Sequence, residues 1–147
     1  MLFPPHIAYL RRLRLRIGKA GEKAARRYLE NCGYDCLLCN WRPPHGGGEV
    51  DLITLERGGV LCFVEVKTRR LKRGQSPLEV APRLAVDEAK RRHLSYCAEV
   101  YLRHSGHLRV PFRFDVIEVW SRGVHPVWLR HWPGAFSAKA FPQNFEV

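Results

Sequence analysis

The chain has 147 residues, of which 46% are hydrophobic and 27% are charged. These values are typical of one globular domain with a single core, and they exclude a disordered chain. The sequence has 25 Lys and Arg but only 14 Asp and Glu, which gives a formal charge of +11. Such an excess favours a polyanionic partner, with nucleic acid ahead of an anionic membrane surface.

The longest apolar run, residues 60–64, is far too short to cross a membrane. The first residues lack the pattern of a signal peptide, because Pro4, Pro5 and His6 break the apolar stretch and the arginines follow it. Five cysteines without an export signal favour reduced thiols. We therefore expect a cytoplasmic protein that has no contact with the membrane.

The chain opens with an arm over residues 1–17 that carries four arginines. Apolar residues at helical spacing make this arm either a basic amphipathic helix or a solvated, frayed segment. A domain over residues 18–136 follows, and residues 137–147 form a tail. In chain order we expect a helix over residues 19–32, strands over 34–41, 49–56 and 60–68, a helix over 84–104, and strands over 112–120 and 124–132. This order predicts an α/β domain with a mixed sheet flanked by helices, and Pro126 indicates an edge position for the last strand.

Two neighbouring strands each carry an acid among aliphatic residues. Alternation along the third expected strand puts Glu65 and Lys67 on the same face as the apolar Leu61 and Phe63. Asp51 likewise lies among aliphatic residues of the second expected strand. If residues 57–59 form a three-residue loop, Glu56 faces Val60 and Asp51 faces Glu65. A two-residue loop would put the two acids on opposite faces.

Two carboxylates that face each other repel, and a divalent cation relieves the repulsion. Mg²⁺ or Mn²⁺ is often held by one or two carboxylates, so Asp51 and Glu65 are candidate ligands, together with the backbone carbonyl of Val66. Lys67 is placed to orient or deprotonate a water, or to neutralise charge on a phosphate. This set predicts phosphodiester hydrolysis. The alternative for each residue is a surface ion pair, such as Glu49 with Lys67.

Several segments resemble the YraN family, a bacterial family of the PD-(D/E)XK nuclease superfamily related to Holliday junction resolvases. The segments that carry the resemblance, which extends from about Gly18 to Phe136, are Gly18-Lys19-Ala20-Gly21-Glu22, Asn40-Trp41-Arg42, Gly48-Glu49-Val50-Asp51-Leu52-Ile53, Phe63-Val64-Glu65-Val66-Lys67-Thr68-Arg69 and Arg113-Phe114-Asp115-Val116.

The resemblance implies a restriction-endonuclease-like fold and a Mg²⁺-dependent nuclease site. It implies that Asp51 and Glu65 bind the metal, that Lys67 is the catalytic lysine, and that Glu22 is the helical acid completing the site. A homodimer is implied as well, since resolvase relatives dimerise to cut two strands symmetrically. Read without the family, Glu22 lies three and seven residues before Ala25 and Leu29, so it is expected to point towards the core. The alternative is an acid in the first turn of a helix that complements the macrodipole. Asp115 is interpreted as the partner of Arg113 in a structural ion pair.

Basic residues surround the predicted site. Arginine suits bidentate phosphate contact, so we expect DNA, branched or single-stranded, to bind by shape more than by sequence. The alternative is a solvated loop and helix face. The candidate DNA-binding residues are Arg69, Arg70, Lys72, Arg73, Lys90 and Arg91. Of the helical residues, Lys90 is expected to reach inward, whereas Arg91 leans outward.

Cys32, Cys36 and Cys39 have the C-x₃-C-x₂-C spacing of some iron–sulfur enzymes. Strand alternation separates Cys36 from Cys39, which favours buried free thiols. The sequence has no phosphate-binding glycine loop, so we expect no nucleotide cofactor.

Two rival functions remain open. The alternatives to the predicted nuclease are a catalytically inactive nucleic-acid-binding module that retains the nuclease fold and an assembly protein whose charge serves an acidic protein partner.

Overall fold

Five strands form one mixed sheet in the computed structural model, which describes residues 5–79 and 86–138. The strands lie side by side in chain order: Asp35–Trp41 (β1), Val50–Leu55 (β2), Leu61–Arg70 (β3), Phe112–Arg122 (β4) and His125–Phe136 (β5). Strands β1 to β3 are antiparallel, β4 runs parallel to β3, and β5 is an antiparallel edge strand. The predicted α/β fold with a mixed sheet is confirmed, as is the edge position of the last strand.

The two helices, Pro5–Asn31 (α1) and Glu88–Ser105 (α2), pack against different sets of sheet residues. Leu94 of α2 shares a core with Phe63, whereas Leu29 of α1 shares a core with Val64, the next residue of β3. Because successive strand residues point to opposite faces, the helices cover opposite faces of the sheet. A short 3₁₀ turn, Pro77–Glu79, lies between β3 and α2.

Helix α1 begins much earlier than residue 19, because its leucines and arginines favour helix and no break interrupts the segment. Helix α2 begins at Glu88, where Asp87 caps it by accepting a hydrogen bond from the Lys90 amide. The earlier start expected at residue 84 lies outside the described residues. No helix within residues 5–79 and 86–138 is long and apolar enough to span a membrane.

The hairpin between β2 and β3 has the register that a three-residue loop predicts. Glu56 and Val60 are joined by a backbone hydrogen bond, and the ladder continues to the pair formed by Leu52 and Val64. The next step along both strands sets Asp51 against Glu65, on the face covered by α2. The register on which the predicted site depends is therefore confirmed.

Candidate active site

Asp51 and Glu65 lie where β2 and β3 stop pairing. The backbone ladder ends at Leu52 and Val64, and the Val66 amide donates a 2.7 Å hydrogen bond to Oδ2 of Asp51. The aspartate side chain thus takes a donor from the neighbouring strand, which fixes its carboxylate beside Glu65.

Glu65 is a buried acid that faces two lysines. Only 5% of the residue is exposed. Lys67 Nζ lies 3.5 Å from Oε1, and Lys90 Nζ, reaching across from α2, lies 3.3 Å from Oε2. No described residue makes a hydrogen bond to Oε2, so the Lys90 contact is an ion pair without hydrogen-bond geometry. The inward direction expected of Lys90 is confirmed.

Asp51 holds its proton far more tightly than an ordinary aspartate. Burial, followed by the negative charge of Glu65, raises the pKa of Asp51 to about 7. Glu22 raises this pKa further, whereas the Val66 amide and Lys90 oppose the shift. Little positive charge therefore lies close to Asp51, although two lysines contact its neighbour Glu65.

Glu22 reaches the edge of this group because α1 passes very close to β3. Gly21 lies against Thr68, and a Cβ atom at Gly21 would overlap the Thr68 hydroxyl. The next residue, Glu22, accepts a 3.1 Å hydrogen bond from the Asn40 side chain, which also donates to Glu49 at 3.0 Å. Glu22 is thus near enough to influence Asp51, while its own carboxylate is held by Asn40.

Glu49 does not pair with Lys67, so the ion pair given as an example of the alternative reading does not form. Its Oε2 instead lies 2.6 Å from Arg42, because the strands diverge before the register brings Glu49 to Lys67. Asn40 holds its bridging position with a left-handed backbone, φ 50°. A groove of about 730 Å³ opens here between α1 and β1. Arg14, Lys19 and Arg42 contribute positive charge to its walls.

The candidate DNA-binding residues divide into two groups. Arg70, Lys72 and Arg73 are exposed where β3 ends. Arg69 lies over the Trp120 ring at 5.8 Å. Arg91 differs from the outward direction expected for it: its Nε donates to the Val86 carbonyl and its guanidinium lies over the Phe136 ring. The exposed group is therefore the part of the set that is open to a phosphate backbone.

Asp115 forms the structural ion pair with Arg113 that the sequence predicted. It is fully buried and also accepts hydrogen bonds from His131 at 2.8 Å and from the Gly134 amide at 2.9 Å. Burial alone would raise the pKa of Asp115, but the hydrogen bonds from His131 and Arg113 bring it below the usual range.

Sequence reasoning missed Glu118, a fully buried acid in β4. The parallel register pairs Glu118 with Lys67, so both side chains lie on the face that carries Glu65. Neither carboxylate oxygen has a hydrogen-bond partner among the described residues. The signal that would have found it is the parallel pairing of β3 with β4, which alternation within one strand cannot give.

A hard divalent cation fits the two acids that the hairpin brings together. Mg²⁺ and Mn²⁺ favour oxygen ligands and often take only one or two carboxylates from the protein. Asp51 and Glu65 supply such a pair, and Oε2 of Glu65 lacks a hydrogen bond among the described residues. Within residues 5–79 and 86–138, however, no three His, Cys, Asp or Glu side chains converge as a ready-made ligand cluster.

Comparison with known proteins finds one family. Residues 21–119 match the family model described as "Uncharacterised protein family UPF0102". A UPF0102 protein of Symbiobacterium thermophilum is 47% identical over 104 residues, which cover 71% of this chain and 81% of the relative. A UPF0102 protein of Chlorobium chlorochromatii is 43% identical over 109 residues, covering 74% and 78% of the two chains. One of Renibacterium salmoninarum is 37% identical over 108 residues, with coverages of 74% and 85%.

Proposed function

This chain belongs to family UPF0102, the YraN family, and we propose that it is a metal-dependent endonuclease that hydrolyses DNA phosphodiesters. The observation that carries the proposal is the pairing of Asp51 with Glu65 beside Lys67. Asp51 is buried beside a second acid, so its charged form is costly to maintain, which favours a functional reason for the pair.

In this proposal Asp51 and Glu65 hold Mg²⁺ or Mn²⁺, with the Val66 carbonyl as a further oxygen donor. The raised pKa of Asp51 supports this role, because a cation beside it would favour the ionised carboxylate. When bound, the cation would supply Lewis-acid activation of a water and of the phosphate. Glu22 contributes negative charge from α1 and joins the ligands only if it exchanges its Asn40 contact.

The amine of Lys67 has the second role. It lies 3.5 Å from Glu65 and is about one-third exposed, so it is tethered near the acids and still open to solvent. From there it would orient an attacking water, take a proton from it, or neutralise charge that develops on the phosphate. Lys90 contacts the other carboxylate oxygen of Glu65 and adds a second positive charge beside it.

The substrate would be held by its backbone. Arg70 is the last residue of the strand that carries Lys67, Lys72 and Arg73 come directly after it, and all three are exposed. Phosphate contacts of this kind give affinity without reading sequence, so we propose that the enzyme selects DNA by structure, as branched or single-stranded substrates. A homodimer would place two such sites on one branched molecule.

A nucleic-acid-binding module without catalytic activity is the second candidate. Both oxygens of Glu65 already face lysines, and no cluster of three ligands is formed among the described residues. In that alternative Lys67 and Lys90 permanently replace the cation, and the basic surface alone is functional.

A cleavage assay separates the two candidates. Branched, flapped and single-stranded DNA are incubated with the full chain in Mg²⁺, in Mn²⁺ and in EDTA. We expect cleavage only with the cations. Lys67→Ala should abolish it while DNA binding is largely retained, and Lys72→Ala, the matched control, should weaken binding and leave cleavage of bound DNA intact. Binding without cleavage on all substrates would favour the inactive module. Binding that does not weaken as salt rises would contradict any nucleic-acid role.

A further inference from the structure

Two thiols of β1 lie close together on one face of the strand. The Sγ atoms of Cys36 and Cys39 are 3.8 Å apart, and both cysteines are free. Regular alternation would point them to opposite faces, which is what the sequence predicted. That expectation was wrong because the register of β1 against β2 shifts between Cys36 and Leu38.

The register shift also shortens the distance between the Cα atoms of Cys36 and Cys39. Cys36 lies opposite Thr54 and Cys39 lies opposite Leu52, so three steps along β1 match only two steps along β2. Two strand steps span about 6.7 Å. Disulfides join residues whose Cα atoms are up to about 7 Å apart, so a small backbone movement would allow this pair to be bridged.

The two sulfurs have unequal surroundings. Cys39 is exposed, and Nη1 of Arg26 donates to its Sγ at 3.5 Å. Cysteines that react with oxidants occupy electropositive, solvent-accessible surroundings of this kind. Cys36 is less exposed, and burial together with the contact to Cys39 raises the pKa of its thiol to about 11. The Cys39 sulfur is therefore open to an oxidant, while Cys36 stays a protonated thiol in contact with it.

We propose that Cys36 and Cys39 form a reversible disulfide when a hydroperoxide oxidises Cys39. In the first step the Cys39 sulfur attacks the peroxide, the O–O bond breaks, and Cys39 becomes a sulfenic acid while an alcohol or water leaves. In the second step the Cys36 sulfur loses its proton and attacks the sulfenic sulfur. The S–O bond breaks and water leaves, so two thiols and one peroxide give one disulfide. A dithiol reductant reverses the reaction.

The disulfide would act on the residue that follows it. Asn40 comes directly after Cys39, and its side chain bridges Glu22 and Glu49 at the groove between α1 and β1. Drawing Cys39 towards Cys36 displaces Asn40, so oxidation loosens this bridge. The inference does not depend on the nuclease proposal, because thiol chemistry and the Asn40 contact are measured without any substrate.

The experiment treats the full chain with hydrogen peroxide, blocks the remaining thiols with an alkylating agent, and maps the cysteines by mass spectrometry. We expect an intramolecular Cys36–Cys39 bridge that dithiothreitol removes. Cys32→Ser, the matched control, should form the same bridge, and Cys36→Ser should form none. Arg26→Gln should slow the reaction several-fold. A bridge that contains Cys32, a disulfide between two chains, or separate sulfinic acids on Cys36 and Cys39 would each overturn the proposal.

A second readout follows the side-chain amide of Asn40 by NMR. Its resonance should shift when the wild-type chain is oxidised and return when dithiothreitol reduces the bridge. Cys36→Ser, in which Cys39 stops at a sulfenic acid, should not reproduce the same shift. A disulfide that leaves this resonance unchanged would overturn the predicted effect on the groove.

Discussion

Replacement of Asp51 by asparagine should make the metal-free protein more stable above neutral pH. The folded-state pKa of Asp51 is about 7, against an ordinary value of 3.8. Because the folded pKa is the higher one, the carboxyl does not lower stability below about pH 4 and destabilises the fold increasingly as the pH rises towards 7. Asp51→Asn removes the ionisation and keeps an oxygen that accepts from the Val66 amide.

The size of the pKa shift of Asp51 determines how much stability Asp51→Asn should gain. One pKa unit corresponds to about 1.4 kcal/mol, so the ionised carboxyl costs up to about 4 kcal/mol at pH 8 and about 1.5 kcal/mol at pH 5. Asp51→Asn should therefore raise the free energy of unfolding at pH 8 by about 1 to 4 kcal/mol, and by clearly less at pH 5. A gain of this size raises the Tm by several degrees in a chain of this length.

Urea unfolding of wild type and Asp51→Asn in EDTA, at pH 5 and at pH 8, measures this difference. Asp35→Asn, which changes an exposed carboxyl at the start of β1, serves as the matched control and should show no pH-dependent gain. The reasoning is refuted if Asp51→Asn is no more stable than wild type at pH 8, or if its gain is equal at the two pH values. Adding Mg²⁺ should stabilise the wild type and leave Asp51→Asn unchanged.

Three further predictions concern the residues around the site. Gly21→Ala should lower the free energy of unfolding by about 1 to 3 kcal/mol in chemical unfolding, because the added Cβ overlaps Thr68. Gly18→Ala, whose Cβ meets open space, should not lower it. If Thr68→Ala did not restore part of the loss in Gly21→Ala, the close packing would be contradicted. Asp115→Asn should lower the free energy of unfolding by about 3 kcal/mol or more, since it breaks a buried ion pair. Glu118→Gln should leave this free energy unchanged or raise it, because the Glu118 carboxylate has no hydrogen-bond partner among the described residues. The reverse order of the two stabilities would contradict this reasoning. Because the pKa of Asp115 is lowered in the fold, its contribution to stability is present above about pH 4 and is lost as the pH falls through the folded pKa. In an acid titration monitored by circular dichroism, the wild type should therefore lose folded signal more steeply than Asp115→Asn.

The hairpin could be predicted in detail because a short loop fixes the register of its strands. Three residues between Glu56 and Val60 set Asp51 against Glu65, and the observed ladder has that register. The pair of acids is therefore readable from the sequence. The partners of Glu65 are only partly readable, since the position of Lys90 on α2 depends on how the helix packs on the sheet.

Contacts between distant segments account for what the sequence did not predict. The parallel pairing of β3 with β4 brings Glu118 next to Lys67 across about fifty residues of chain, and no local pattern encodes it. The register shift in β1 likewise depends on a second segment, because it is defined only against β2. It places Cys36 and Cys39 on one face of the strand instead of on opposite faces. The divergence of β2 from β3 moved Glu49 from Lys67 to Arg42.

Diffraction from crystals soaked in Mn²⁺ would show whether Asp51 and Glu65 hold a cation together. We expect an anomalous peak about 2.0–2.2 Å from carboxylate oxygens of both Asp51 and Glu65, with Lys67 still adjacent. Crystals of Asp51→Asn should show no such peak. Wild-type crystals in which no manganese binds, and in which Lys67 and Lys90 alone contact Glu65, would contradict the claim.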